Sequence, residues 1–207
     1  MFFVPSWLTE VVNRTPEFRV MLDPAGTFRE LSKEPAAGFW VLLRRPLWLA
    51  FVCGCVVSLW ASGRLSVRLI ADGAVSFAFL PVFSLLALAA VYRRSPRRVP
   101  FAHAADLFFV ANAPWLLWMV AFAALRCLQS PLQAAAPPGT LSWAIRLSLL
   151  LVAAWSAYVD LQYFREVLPR PAGSARDLML QRAIGWTCSA AYFLGIAIWP
   201  EIVGRLG

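Results

Sequence analysis

Ionisable side chains inside long apolar stretches are the residues of this chain whose types and positions could do chemistry. Each such group costs several kcal/mol in a membrane unless it is paired or hydrated, so it marks a binding pocket, a proton path or a charge pair between helices. They fall into two layers, with Asp106, Asp160 and Arg182 near the inner ends of the stretches and Asp72, Arg126 and Arg146 near the outer ends.

The depth of these charges favours pairing between helices over a transport route. All of them lie within about two helical turns of the end of a stretch, where a charge is less costly than at the middle of the bilayer. Opposite charges at one depth can satisfy each other across helices. We expect Asp160 and Arg182 to form such a pair, because they lie at matched depth on either side of a short loop.

Histidine and cysteine give little support for a metal, haem or catalytic site. The chain has 4 Cys and 1 His, with no CxxC pair and no His-rich segment. Structural zinc needs about four such ligands, and a bis-His haem needs a second histidine. His103 and Asp106, on one predicted helix face, are a thin candidate for an acid–base pair. The sequence therefore predicts no catalytic residue, no cofactor and no metal.

The elements that must hold these residues are five apolar stretches separated by arginine-bearing loops. Each is close to the ~20 residues that a helix needs to cross ~30 Å of hydrocarbon. The composition agrees, with 60% hydrophobic and 14% charged residues. We predict an all-α polytopic membrane bundle of five transmembrane helices in residues 46–207, namely Pro46–Gly63, Leu69–Tyr92, Ala104–Leu128, Leu141–Phe164 and Leu178–Val203.

Arginine positions predict the orientation of this bundle. Short cytoplasmic loops are enriched in Lys and Arg, whereas the loop 129–140 carries no charge. We therefore expect the N-terminus inside and the C-terminus outside. A net charge of +8 could indicate a nucleic-acid partner, but the basic residues flank membrane helices, where anionic lipid attracts each by about 1 kcal/mol. The residues expected at these headgroups are Arg93, Arg94, Arg97 and Arg98.

Prolines inside the second and third predicted helices indicate kinks. A proline removes one backbone hydrogen bond and clashes with the preceding turn. We predict kinks at Pro81 and at Asn112 and Pro114. Such kinks could open a cavity between the two helices, although we favour packed helices. Gly54 and Ser58, four residues apart, predict a close contact with another helix of this chain or of a second subunit.

Residues 1–45 mix charges of both signs with bulky apolar side chains, as interfacial amphipathic segments do. Asp23 followed by proline predicts the start of a short helix, Ala25–Lys33. Gly38–Arg45 should lie along the cytoplasmic leaflet with its arginines toward the headgroups. The side chains expected to contact lipid or a partner are Trp7, Phe28, Phe39 and Trp40.

The string LDPAGTFRELSKEP, Leu22–Pro35, followed by apolar stretches, resembles the start of bacterial members of the Yip family, the Ypt/Rab-interacting membrane proteins. Two further segments, Pro100–Leu117 and Val159–Gly185, are similar to that family in layout. The resemblance implies a cytoplasmic N-terminal segment, five helices, an external C-terminus and no enzymatic activity.

Two functions from different classes fit these features. We expect a non-catalytic scaffold or accessory subunit of a bacterial inner-membrane assembly, in contact with anionic lipids and other membrane subunits. The alternative is a small transporter or permease component that uses the intramembrane charges. A transporter needs a polar cavity that reaches the middle of the membrane. A scaffold needs a compact bundle with an exposed apolar or aromatic face.

Overall fold

The computed structural model describes residues 15–33, 35, 36, 38–95, 99–127, 140–169 and 173–206. Side chains 126, 127, 140–142 and 197–206 fall outside that description. The predicted all-α class is confirmed over these ranges. Their helices are α1 Pro16–Leu22, α2 Pro24–Leu31, α3 Phe39–Ser62, α4 Val67–Ser76, α5 Phe79–Tyr92, α6 Phe101–Val110, α7 Ala113–Cys127, α8 Thr140–Glu166 and α9 Ser174–Leu206.

Three helical segments of the described ranges are long and apolar enough to cross a membrane, and a fourth span results if α6 and α7 count as one. The three are Phe39–Ser62, Val67–Tyr92 and Trp143–Glu166. They overlap three of the predicted stretches, and the bent pair overlaps a fourth. The last predicted stretch lies within α9, a helix of 33 residues, and its crossing of the membrane stays a prediction.

The first membrane helix starts earlier than the sequence predicts. α3 begins at Phe39, inside the segment expected to lie along the membrane surface, and continues through Pro46 without a break. Gly38 precedes it with a φ of 135°, which residues with side chains rarely adopt, and this conformation turns the chain into the helix. Gly38–Arg45 is therefore not a separate surface segment, because its residues form the first turns of α3.

Helix breaks occur beside the prolines at which kinks are predicted. α4 gives way to α5 just before Pro81, and α6 meets α7 at a bend of 42° beside Asn112 and Pro114. A proline has no N–H to donate to the carbonyl four residues earlier. For these two prolines that carbonyl belongs to Phe77, the C-cap of α4, and to Val110, the last residue of α6.

Close backbone contact joins α3 to α4. A Cβ atom added to Gly54 would lie 2.2 Å from the Ile70 carbonyl oxygen, and one added to Gly73 would lie 3.0 Å from the Cα atom of Gly54. Ser58 is fully buried, and its hydroxyl donates to the Arg64 carbonyl at 2.9 Å. The small-residue face of α3 thus packs on a helix of the same chain.

The short helix α6 is enclosed by other parts of the protein. All of its residues from His103 to Val110 are buried. Such a helix, apolar on nearly every face, is stable only when it is surrounded. Tyr163 of α8 is completely buried, and its hydroxyl donates to the Ala104 carbonyl at 2.8 Å, which ties α8 to α6.

The N-terminal helix pair, α1 and α2, packs onto this core. The carboxylate of Asp23 accepts a hydrogen bond from the Gly26 N–H at 3.0 Å, and α2 occupies Pro24–Leu31, one residue earlier at its start than the predicted Ala25–Lys33. Phe28 is 0% exposed, and its ring lies 5.6 Å from that of Tyr163. The prediction that Phe28 faces lipid or a partner is wrong, because the apolar face of α2 meets α8.

Four other residues of the predicted contact surface are exposed, and three lie outside the described residues. Phe39 and Trp40 are 75% and 66% exposed at the start of α3. Arg93 and Arg94 are exposed after α5. Trp7, Arg97 and Arg98 lie outside the described residues.

Candidate functional site

A cavity of about 630 Å³ lies between α3, α5, α6, α7, α8 and α9. This volume falls within the ~300–1,000 Å³ that small-molecule sites occupy. Its wall is mainly apolar, and its polar groups concentrate where α8 and α9 meet. The lining residues are Leu49, Cys53, Leu80, Phe83, Ser84, Phe108, Asn112, Trp115, Met119, Leu149, Leu150, Ala153, Ser156, Asp160, Gln181, Arg182, Gly185, Trp186 and Ser189.

The polar end of the cavity is built on the Asp160–Arg182 pair. Arg182 Nη2 donates to Asp160 Oδ2 at 2.7 Å. The structure thus brings together the two residues that are predicted to pair because they lie at matched depth in the membrane. Asp160 is only 6% exposed. Its other oxygen, Oδ1, and the Nε atom of Arg182 are buried without a hydrogen-bond partner in the described part of the chain. Unsatisfied buried groups of this kind cost about 1 to 3 kcal/mol each, and more when they are charged.

The cavity wall includes exposed apolar side chains of α8 and α9. Leu150 and Trp186 line it, and both are 70% exposed.

Asn112 gives the cavity a polar group away from the Asp160–Arg182 pair. It lies at the bend between α6 and α7, where the helix ladder is interrupted. Ser84 of α5, near Pro81, lines the same space. The two helix breaks thus border a cavity, whereas the sequence favours packed helices there. Volume between helices depends on how all of them pack, which a kink position does not fix.

Comparison with known proteins does not assign the chain to a family. No protein-family model, no curated protein and no solved structure matches the chain. The interpretation of the cavity therefore rests on its own residues.

We expect a double-mutant cycle on the Asp160–Arg182 pair to show favourable coupling. Asp160→Asn or Arg182→Gln alone leaves the other charge without its partner, which costs about 3 to 5 kcal/mol for buried pairs. The double substitution leaves no charge, and its loss of unfolding free energy should fall below the sum of the single losses by at least about 1 kcal/mol. Unfolding in mild detergent measures all four forms. Additive losses would contradict the coupling.

A second group of charges, the Asp106 cluster, surrounds a buried carboxylate and consists of Asp106, Arg44, Arg45 and Glu17. Arg44 donates through Nε and Nη2 to the two Asp106 oxygens at 2.8 and 2.7 Å, and Arg45 Nε donates to Oδ1 at 2.8 Å. Arg45 also donates through Nη1 to Glu17 of α1. Such charge-assisted, bidentate bonds are among the strong hydrogen bonds of proteins. Arg45 thereby connects the N-terminal helix pair to α3 and α6.

The Asp106 cluster corrects one expectation. Arg44 and Arg45 bind a carboxylate whose side chain is 3% exposed, instead of pointing to lipid headgroups. Within the predicted inner layer, Asp106 thus binds arginines of α3, while Asp160 binds Arg182 of α9. The reason is burial. Asp106 lies on the enclosed helix α6 and needs cations from its immediate neighbour, α3.

The ring of His103 contacts the backbone of the segment between α2 and α3. Its Nδ1 accepts from the Ala36 N–H at 3.2 Å, and its Nε2 lies 3.0 Å from the Leu31 carbonyl oxygen. A neutral ring with the proton on Nε2 satisfies both contacts. With both nitrogens occupied, His103 does not form the acid–base pair with Asp106 that the sequence allows. Among the described side chains, no group of three or more His, Cys, Asp or Glu is placed to hold a metal ion.

Two ion pairs hold the N-terminal helix pair in place. Arg29 donates to both oxygens of Glu166, at 3.1 and 3.0 Å, and so fastens α2 to the end of α8. The hydrogen bonds to Glu166 raise the pKa of Arg29. Arg19 of α1 donates to Glu30 of α2 and lowers the pKa of that carboxyl group.

The predicted outer layer of charges does not form pairs between helices in the described residues. Asp72 lies 3.8 Å from Arg68 on the same helix, and both are exposed. Arg146 is exposed and lies over the Trp143 ring, 5.3 Å from its centroid. The side chain of Arg126 lies outside the description. Near a span end, exposed charges reach water or headgroups, so they need no partner on another helix.

Proposed function

We propose that this protein is a non-catalytic membrane protein that binds a small amphipathic molecule in the cavity, in the manner of a transporter or permease component. One observation carries the proposal. The cavity combines a mainly apolar wall with a polar end at the buried Asp160–Arg182 pair. Concave, mainly apolar sites with a few convergent polar groups are typical of small-molecule binding.

The proposal includes five spans in a bacterial inner membrane, with the N-terminus inside and the C-terminus outside. The three to four candidate spans of the described ranges, the length of α9 and the positions of the arginines support this topology. Exposed Arg93 and Arg94 would then lie beside anionic headgroups of the cytoplasmic leaflet.

Filling the cavity tests the binding function. Gly185 lines the cavity, and a Cβ atom added there meets no described atom within 4 Å, so Gly185→Phe should occupy the space without distorting α9. Gly195 lies on the same helix, is exposed and is equally open, but it does not line the cavity, so Gly195→Phe is the matched control.

Native mass spectrometry of the protein extracted in mild detergent measures the outcome. The natural protein and Gly195→Phe should retain a small bound molecule, and its occupancy should fall at least about tenfold in Gly185→Phe, equivalent to about 1.4 kcal/mol of binding. Equal retention by all three forms would contradict binding in the cavity.

A Yip-like scaffold is the second candidate. It is favoured by the exposed rings of Phe39 and Trp40, which a partner subunit could cover at the start of α3. The same mass spectra separate the two candidates. A scaffold would retain a protein subunit at fixed stoichiometry in all three forms, whether or not the cavity is filled.

A further inference from the structure

We infer that His103 is a protonation-sensitive latch of the N-terminal helix pair. The neutral ring holds the end of α2 and the start of the approach to α3 against α6, and a proton on the ring releases them. The inference goes beyond the proposed function, because none of its residues lines the cavity between the six helices. It follows from the roles of the two ring nitrogens, from the charges around the ring and from a second cavity beside it.

The ring of His103 connects two separate points of the N-terminal chain to α6. Its Nε2 lies 3.0 Å from the Leu31 carbonyl oxygen, at the end of α2. Its Nδ1 lies 3.2 Å from the Ala36 nitrogen, shortly before α3 begins. Both contacts are to the backbone, so together they fix the path of the chain where it passes from α2 to α3.

Only a neutral ring can make both contacts. A backbone N–H can only donate, so Nδ1 must accept from Ala36, and Nε2 must carry the proton for the Leu31 carbonyl. A second proton would go to Nδ1 and would set two N–H groups against each other at 3.2 Å. The protonated ring therefore loses its acceptor and leaves the Ala36 N–H without a partner until the chain moves away.

The charged groups around the ring do not favour a proton on it. Each described carboxylate at this end of α6 already accepts from at least one arginine. The tyrosines of α5 and α8 that contact this region, Tyr92 and Tyr163, donate to backbone carbonyls. The charged side chains on the elements around the ring are Glu17, Glu30 and Asp106, and Arg19, Lys33, Arg44 and Arg45. No described carboxylate is thus left to hold an imidazolium ion.

A second cavity gives a proton access to the ring. It has a volume of about 290 Å³, and His103 lines it together with Lys33, Arg44 and Asp106. A polar cavity of this size has room for water molecules. A proton can therefore reach the ring while the helices stay packed, although His103 is only 5% exposed.

The direction of the pH dependence follows from these contacts. An exposed histidine is half protonated at about pH 6.5. The latch therefore holds at pH 7.5 and weakens as the pH falls through about 6.5. If the ring takes up its second proton only on release, the equilibrium for release increases about tenfold between pH 7.5 and 5.5. His103 is the one histidine of the chain, so one substitution removes this response.

Hydrogen–deuterium exchange of the full chain in phosphatidylcholine nanodiscs, followed by mass spectrometry, measures the release. The natural protein and His103→Asn would be compared at pH 7.5 and 5.5, because a carboxamide oxygen accepts a hydrogen bond near the position of Nδ1 at both pH values. The ratio of their exchange rates cancels the chemical effect of pH on exchange. For peptides that cover α2 and Ala36, this ratio should rise about tenfold from pH 7.5 to 5.5. For peptides of α4 it should stay constant.

His103→Gln replaces the asparagine variant in the same comparison if that variant does not fold. An equal ratio at the two pH values would overturn the latch, since another group, such as Asp160, would then carry any response to acid. A rise of the same size in peptides of α4 would also overturn it, because acid would then loosen the whole protein. Neither result bears on the proposed function, which Gly185→Phe tests in the other cavity.

Discussion

We expect Asp106→Asn to lower the free energy of unfolding of this protein by about 3 to 5 kcal/mol. The carboxylate of Asp106 is 3% exposed and accepts hydrogen bonds from both Arg44 and Arg45. An asparagine retains the shape but leaves two guanidinium groups beside a neutral amide. Glu17 then remains as the one acidic member of the cluster, and it accepts a hydrogen bond from Arg45.

Asp72→Asn is the matched control for this substitution. Asp72 is also an aspartate on a membrane helix beside an arginine, but both side chains are exposed and their atoms lie 3.8 Å apart. Exposed pairs of this spacing contribute about 0.5 kcal/mol or less. Chemical unfolding in one detergent compares the two variants. Losses of equal size would show that the Asp106 cluster is hydrated and contributes as a surface pair does.

Gly54→Leu should destabilise the protein by at least about 3 kcal/mol, at the upper end of what overpacking costs. The first atom of the new side chain would lie 2.2 Å from the Ile70 carbonyl oxygen, and this atom belongs to the backbone of α4, which cannot rotate away. α3 and α4 would have to separate, and the Ser58 hydrogen bond to Arg64 would be lost with their contact.

Gly195→Leu controls for the general effect of leucine on a glycine of a membrane helix. No described atom lies within 4 Å of a Cβ atom at Gly195. Leucine is favoured over glycine in a helix by about 0.5 to 1 kcal/mol. The control should therefore unfold no earlier than the natural protein. If Gly54→Leu behaves like this control, the contact of α3 with α4 is absent in the membrane.

The local chemistry of neighbouring residues and the predicted depth of a residue in the membrane predict several features correctly. The start of α2 follows from Asp23 and the proline after it, because that pair satisfies helix geometry within one turn. The breaks before Pro81 and Pro114 follow from the missing N–H of proline. Asp160 and Arg182 form a hydrogen bond between neighbouring helices joined by a short loop. Their matched depth in the membrane was therefore enough to predict the contact.

Features that depend on which helices are neighbours could not be predicted in this way. An apolar face on α2 shows that Phe28 is covered but does not say whether lipid or α8 covers it. Asp106, as a charge within an apolar stretch, indicates that a cation must lie nearby. Arg44 and Arg45, just before the first predicted stretch, were available candidates for that cation. Their contact depends on α3 lying beside α6, which one sequence does not reveal. The cavity likewise results from the packing of six helices around one space.

The ion pair between Arg29 and Glu166 has a consequence for the order of events during synthesis. The two residues are 137 positions apart, and at about 5 to 20 residues per second the ribosome needs roughly 7 to 30 s to pass from one to the other. Throughout that interval α2 exists without the helix that buries Phe28. Of the described helices, α1 and α2 are made first, and α2 can complete its contact with α8 only after Glu166 has been synthesised.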